Sequence, residues 1–134
     1  MMSKVFQQLL DIKSEKGAGY IVLIDPDRKN EDTLVKQVTV ANKSSVDALF
    51  VGGSLMMDSK HNERVAVIKK EADIPVIFFP GGLNQLNQYY DAILFMSLLS
   101  GRNPQYLIGE QVVAAPIIND LGIEVIPTGY LLFD

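Results

Sequence analysis

Cysteine and tryptophan are absent from the 134 residues, and histidine occurs once, as His61. The absence of cysteine excludes a disulfide scaffold, a cysteine nucleophile, a thiolate zinc site and an iron–sulfur cluster, and it fits the cytoplasm. A single histidine excludes metal sites built from several histidines. Metal chemistry in this chain would therefore rely on oxygen ligands, which suit magnesium or calcium.

Positive charge is also scarce. Lysine and arginine number 12 against 16 acidic residues, and the net charge is -4. This balance argues against a general nucleic-acid binder, which needs a basic face. No apolar run approaches the roughly 18 residues of a membrane span, and the first residues lack the apolar block of a signal peptide. We therefore expect a cytoplasmic protein without a transmembrane segment.

Five apolar runs alternate with segments of helical periodicity. The runs cover residues 20–24, 47–51, 75–79, 92–96 and 123–126. The alternation predicts right-handed crossovers and a parallel sheet, in one α/β domain over residues 1–134. The unbroken run at 20–24 is typical of a strand buried on both faces. Asn30 is expected to cap the second helix, and Pro116 to kink or split the last one.

Two architectures fit this order of elements. An open, flavodoxin-like five-strand sheet would be complete at this length. A TIM-type (β/α)8 barrel typically needs about 250 residues, so the chain would supply about its first five strands. After the fifth run, the apolar residues 130–133 have no following helix to cover them. This favours a partial barrel, either truncated or closed by a subunit interface.

Parallel α/β proteins bind ligands at the C-terminal ends of their strands. Asp25 follows the first run, and Gly52, Gly53 and Ser54 follow the second. A carboxylate and a hydroxyl on neighbouring strands form a sparse oxygen site, which magnesium uses when substrate phosphates and waters complete its shell. The glycines would let backbone N–H groups approach a phosphate. Ordinary tight turns are the simpler interpretation of the same residues.

Other candidates carry weaker signals. Arg28 would offset the charge of a diphosphate, although adjacent basic residues usually belong to solvated surface. His61 is expected to be an exposed helix residue. Phe95, Met96 and Leu99 belong to an unusually apolar strand end, which is interpreted either as core or as the lining for an apolar ligand tail.

Six segments, in order and at similar spacing, resemble the geranylgeranylglyceryl phosphate synthase family and cover essentially the whole chain. They are Leu23-Ile24-Asp25-Pro26-Asp27-Arg28, Val51-Gly52-Gly53-Ser54, Phe79-Pro80-Gly81, Leu94-Phe95-Met96-Ser97-Leu98-Leu99, Asn103-Pro104-Gln105-Tyr106-Leu107-Ile108-Gly109-Glu110 and Ile126-Pro127-Thr128-Gly129-Tyr130. The fifth segment is similar to that of one particular branch of the family.

The resemblance implies a magnesium-dependent prenyltransferase on a TIM-type barrel. Such an enzyme transfers a polyprenyl group from its diphosphate to the C3 hydroxyl of sn-glycerol 1-phosphate in ether-lipid synthesis. By the same resemblance, Mg2+ would be held by Asp25 and Ser54. The diphosphate would lie near Gly52, Gly53 and Arg28, and the prenyl tail near Phe95, Met96 and Leu99. A homo-oligomer is expected, and a peripheral membrane contact is left open.

Two departures from the family matter. Leu23 stands where some members have a lysine that contacts glycerol phosphate. The later strands, with a Tyr-x-Glu segment that supplies the proposed base and glycine-rich phosphate loops, have no counterpart among these residues. We therefore expect no catalytic base in this chain and little or no activity from it alone. The alternative hypothesis is a non-enzymatic half-barrel that associates with itself or serves as a binding module.

Overall fold

The computed structural model describes residues 4–133. Within them, one sheet contains the strands Ile21–Ile24 (β1), Ala48–Val51 (β2), Val76–Phe78 (β3), Ala92–Leu98 (β4) and Glu124–Tyr130 (β5). The α-helices are Lys4–Lys16 (α1), Leu34–Lys43 (α2), His61–Glu71 (α3) and Glu110–Leu121 (α4). Short 3-10 turns cover Arg28–Thr33 and Leu83–Gln85, and a π-helical turn at Gln105–Gly109 leads into α4. No helix in the described range is long and apolar enough to cross a membrane.

The strands are all parallel and lie in the order β1-β2-β3-β4-β5. A flavodoxin-like sheet reverses direction after its first crossover, giving the order 2-1-3-4-5. Sequential order is instead the arrangement of a barrel wall. The predicted parallel α/β fold is confirmed, and the barrel-type alternative is the correct one.

Alternate side chains along each strand face two separate cores. On the outer face, strand residues such as Leu49 and Phe78 pack against α2, α3 and α4. On the inner face, Ala48, Ile77 and Leu94 pack with Val5 of α1. Helix α1 therefore does not join the outer layer, but covers the inner face of the sheet.

Strand β1 is less buried than predicted. Leu23 points to the inner face, and 56% of its surface is exposed. Ile21, two residues earlier on the same face, packs into the inner core. The prediction that this run is buried on both faces is wrong, because the inner-face cluster that contains Val5 of α1 does not extend as far as Leu23.

The start of the second helix also differs from the prediction. Asn30 does not cap α2, which begins at Leu34 after Thr33, a residue that makes no side-chain cap hydrogen bond. Asp27 caps the 3-10 turn before α2, and its carboxylate accepts a hydrogen bond from the Lys29 N–H at 2.9 Å. The Asn30 side chain instead donates to the carbonyl oxygen of Asp25 at 2.9 Å. Asn30 thereby holds the backbone at the end of β1.

Helix α4 continues through Pro116 without the predicted split. Proline lacks the N–H that would bond to the carbonyl of Val112, four residues earlier. Val112 is exposed, so water can hydrate that carbonyl. Asn103 starts this helical region as expected, since its side-chain oxygen accepts from the Gln105 N–H at 3.0 Å.

The N-terminus of α1 is fixed by a side chain from β5. The Glu124 carboxylate accepts hydrogen bonds from the backbone N–H groups of Val5 and Phe6, both at 2.8 Å. The first N–H groups of a helix have no partner within the helix, and a negative charge there also favours the helix dipole. Glu124 therefore joins α1 to a strand more than a hundred residues away.

Replacing Glu124 by alanine should lower the free energy of unfolding by about 1–2 kcal/mol, because a charged cap is lost. Amide hydrogen exchange at Val5 and Phe6 should accelerate at the same time. The matched control is Glu15→Ala, at an exposed position near the other end of α1. Equal effects of the two substitutions on stability and exchange would contradict this role for Glu124.

Candidate functional site

The ends of β1 and β2 bring Asp25 against the glycine turn that follows β2. A Cβ atom placed on Gly53 would collide with the Asp25 carboxylate, whose Cγ would lie only 2.9 Å away. The Asp25 carboxylate therefore occupies space that a side chain on residue 53 would need. Asp25 is half-buried, and Ser54, next to Gly53, is exposed. The two predicted metal ligands thus lie on adjoining segments at the same end of the sheet.

Gly52 after β2 and Gly81 after β3 are required by close backbone packing. A side chain on Gly52 would strike the carbonyl oxygen of Phe79, and one on Gly81 would strike that of Gly53. The N–H of Gly52 donates to Ile24 at 3.3 Å, and the N–H of Gly53 donates to Gln85 at 3.3 Å. Neither glycine offers a free N–H in this structure. The predicted N–H contact with a phosphate would require exchange of one of these bonds.

Gln85 is a site residue that the sequence analysis missed. It is 1% exposed, and its side-chain amide donates to the Gly53 carbonyl at 2.6 Å and accepts from the Gly53 N–H. Its own backbone carbonyl accepts from the Tyr90 hydroxyl at 3.3 Å and from the Asn87 amide at 3.1 Å. A glutamine in a short polar turn carries no sequence signal that sets it apart.

His61 is buried, so the prediction that it is exposed is wrong. Only 5% of its surface is accessible, and Nε2 lies 3.3 Å from the Tyr90 hydroxyl. Tyr90 in turn stacks on Phe78 with ring centroids 4.5 Å apart. Burial, and next the positive charge of Arg64, lower the pKa of His61, while the nearby Asp25 charge opposes the shift. The first turn of α3 therefore faces the site instead of solvent.

Arg64 joins the loops around the site. This buried side chain forms ion pairs with Asp58 at 2.6 Å and with Glu31 at 3.0 Å. It also donates to the carbonyl oxygen of Pro26 at 3.4 Å. The hydrogen bonds from Arg64 lower the pKa of Asp58 to about 2. The segments after β1 and β2 are thus both tied to α3 by one guanidinium group.

Arg28 lies at the exposed start of the 3-10 turn, and its charge acts on Asp58. Residues 4–133 contain no cluster of three or more His, Asp or Glu side chains that could hold a metal ion. The protein ligands at this site would be the Asp25 carboxylate and the Ser54 hydroxyl. Such a sparse oxygen set fits Mg2+, which keeps several waters and binds substrate phosphates.

A separate cavity of about 630 Å³ is lined by residues of the β3–β4 connection. It extends from the turn after β3 to α4, and Phe95 and Met96 are among its mostly apolar lining residues. Leu99 is not among them. It is 55% exposed and lies beside Gly129 of β5. Of the three residues proposed for an apolar tail, the structure brings two to this cavity.

The rim of this cavity includes residues from the end of the chain and from α4. Tyr130 and Leu132 contribute to the lining, and Leu132 N–H donates to the Ser100 hydroxyl at 2.9 Å. The Gln111 amide also lines the cavity and donates to the Met96 carbonyl, while its Oε1 is buried without a hydrogen-bond partner. Of the apolar residues after β5, Leu132 therefore forms part of the cavity wall.

Sequential parallel strands, with polar residues at their C-terminal ends, define a β/α protein of the TIM-barrel type. The PcrB family matches residues 10–134. The chain belongs to this family, and the predicted relation to the geranylgeranylglyceryl phosphate synthases is confirmed.

Similar proteins include geranylgeranylglyceryl phosphate synthases of Chitinophaga pinensis and Methanosphaera stadtmanae. They are 40% identical over 134 residues and 44% identical over 115 residues. The alignments cover 100% and 86% of this chain, but 53% and 47% of the relatives. The chain thus spans about half the length of the curated relatives it matches.

Solved structures show the same relation. The crystal structure of (S)-3-O-geranylgeranylglyceryl phosphate synthase from Thermoplasma acidophilum in complex with substrate sn-glycerol-1-phosphate matches with a TM-score of 0.87 and 36% identity. The match covers 100% of this chain and 54% of the Thermoplasma acidophilum chain. Wild-type GGGPS from Thermoplasma volcanium gives a TM-score of 0.86 at 36% identity, over 99% of this chain and 53% of that one.

The buried His61 should make the fold sensitive to mild acid. Its folded pKa is lowered, so the unfolded chain takes up the proton first as the pH falls. The stability that depends on neutral His61 is therefore complete above its ordinary pKa of about 6.5 and is lost as the pH falls toward the folded value. Urea unfolding between pH 8 and pH 5 measures this loss.

His61→Gln should remove this part of the pH dependence, since no other histidine is present. The control is Lys60→Gln, at the neighbouring exposed position, which should keep the slope of the parent chain. An unchanged slope in His61→Gln would show that His61 is not the group responsible.

Proposed function

We propose that this chain supplies the magnesium-binding and prenyl-binding elements of a prenyltransferase that joins a polyprenyl diphosphate to sn-glycerol 1-phosphate in ether-lipid synthesis. The observation that carries the proposal is the Asp25 carboxylate packed against Gly53, with Ser54 adjoining, at the strand ends. Membership of the PcrB family and the names of the relatives support it. We propose a cytoplasmic location, which the absence of cysteine fits.

Asp25 and Ser54 would hold Mg2+ through oxygen atoms, and a bound Mg2+ stabilises the charge that develops on a leaving diphosphate. Asn30 and Gly53 determine where the Asp25 backbone and carboxylate lie. Arg28 would add positive charge nearby. The buried His61 stays neutral through its lowered pKa, so it brings no cation into competition with the metal.

The cavity beside β4 would hold the prenyl tail. Its lining is mostly apolar, with Phe95 and Met96 on the wall. Its volume of about 630 Å³ lies within the usual range of small-molecule pockets, about 300–1,000 Å³. Burial of a hydrocarbon tail there would be favoured by the hydrophobic effect. A tail in this cavity would place the diphosphate end toward the strand ends.

Asp25→Asn should weaken the binding of Mg2+ or Mn2+ in the presence of inorganic diphosphate by about tenfold or more, because the only carboxylate of the proposed pair is lost. Isothermal titration calorimetry measures the affinity. Asp27→Asn is the matched control, since Asp27 is the next carboxylate and caps the 3-10 turn. Metal binding that is equal in the parent chain and in Asp25→Asn would contradict the proposed site.

A polypeptide limited to residues 1–134 should turn over a long prenyl diphosphate and glycerol phosphate at least about a hundredfold more slowly than a complete family barrel, because it lacks the expected general base. A steady-state assay with Mg2+ decides this. Turnover comparable to that of the complete barrel would refute the expectation.

A self-associating half-barrel is the second candidate. Val113, Ile117 and Leu121 of α4 and Val125 of β5 are exposed apolar residues. Exposed apolar groups on neighbouring elements are typical of interfaces. Light scattering coupled to size exclusion should then show a dimer, and Ile117→Lys should convert it to a monomer, whereas Lys43→Glu on α2 should not. A monomeric parent chain would oppose self-association.

A further inference from the structure

We propose that Gln85 is a positioning residue for the Gly53–Ser54 segment, and through it for the ligands of the proposed magnesium site. The inference rests on the proposed function for the identity of the ligand. Both polar atoms of the Gln85 side chain are engaged by the Gly53 backbone in this structure. The hydrogen bonds of Gln85 to Gly53 are the basis of the argument.

The Gln85 amide pairs with both backbone groups of one residue. Its Nε2 donates to the Gly53 carbonyl at 2.6 Å, and its Oε1 accepts from the Gly53 N–H at 3.3 Å. This arrangement copies the double pairing of one residue in a β-ladder. Because Gln85 is only 1% exposed, water cannot replace these bonds without opening the structure.

The segment needs such a restraint. Gly52 and Gly53 follow each other at the end of β2, and glycine has more backbone freedom than any other residue. A side chain on Gly52 would strike the Phe79 carbonyl, and one on Gly53 would displace the Asp25 carboxylate. Side-chain packing therefore cannot hold these two residues. A hydrogen-bonding partner outside the segment has to do so.

The backbone of Gln85 is itself fixed by hydrogen bonds, one of them to a core side chain. Its backbone N–H donates to the Gly82 carbonyl at 3.2 Å, and its carbonyl accepts from the Tyr90 hydroxyl. Tyr90 stacks on Phe78 and contacts His61. A chain of contacts thus runs from the outer core to Gly53, and Gly53 abuts the Asp25 carboxylate.

The chemistry requires glutamine. Only a neutral amide of this length offers a donor and an acceptor together. A glutamate would face the Gly53 carbonyl oxygen with a carboxylate and would add a negative charge near Asp25. A methionine would keep the approximate shape without either hydrogen bond.

The test compares Gln85→Met with Gln88→Met, an exposed glutamine in the same connection. Gln85→Met should accelerate amide exchange at Gly53 by about tenfold or more and weaken Mn2+ binding with inorganic diphosphate by about ten- to a hundredfold, as for other residues that orient metal ligands. Gln88→Met should change neither. Val38→Ala, on the buried face of α2, should lower overall stability without changing Mn2+ affinity.

Unchanged exchange at Gly53 in Gln85→Met would overturn the inference, as would faster exchange with full Mn2+ affinity. If Gln85→Met does not fold, Gln85→Asn provides the comparison without a change of charge, because its amide is one methylene shorter and is drawn back from Gly53. If the parent chain shows no binding of Mn2+ that depends on Asp25, the proposed magnesium site fails. Selective exchange at Gly53 in the Gln85 variants would then still support the positioning of this segment.

Discussion

The contact between the Asp25 carboxylate and the backbone at Gly53 is the constraint on which the rest of the site depends. A side chain at residue 53 would displace the Asp25 carboxylate, and the contact brings a charged group to the point where β1 and β2 end. The turn after β3 then packs on the same residue, because Gly81 lies against the Gly53 carbonyl. Three consecutive strands therefore meet at one small backbone surface. The three segments meet because β1, β2 and β3 are parallel neighbours, so that their C-terminal ends share one edge of the sheet.

Buried polar groups around this point are paired instead of free. Arg64 is surrounded by two carboxylates and a carbonyl oxygen, which balances its charge inside the protein. Buried charges are tolerated when they are paired in this way. His61 is instead buried without a charge, because burial lowers its pKa. Asp25 is not among the carboxylates that Arg64 binds, so its oxygen atoms stay available for the metal of the proposed site.

Much of this architecture could be predicted from local sequence. Apolar runs indicate parallel strands because such strands are buried, and the shared edge of parallel strands predicts that Asp25 and Ser54 lie on adjoining segments. The exposure of Leu23 and the burial of His61 could not be predicted, because both depend on which distant element covers a given face. Gln85 could not be recognised either. Its role arises from the position of Gly53, which is 32 residues away in the chain.

Between β3 and β4 the chain forms only the 3-10 turn Leu83–Gln85 where a full helix would complete the outer layer. The space beside this turn is the cavity lined by Phe95 and Met96. The cavity thus lies where this repeating β/α fold has a short turn in place of a helix. The connection between β3 and β4 therefore serves both regions, because Gly81 and Gln85 contact Gly53 while Leu83 and Leu86 line the cavity. On the proposed function, evolution could lengthen or shorten the accepted tail by altering cavity residues of this connection such as Leu83 and Leu86, provided that Gly81 and Gln85, which contact Gly53, are kept.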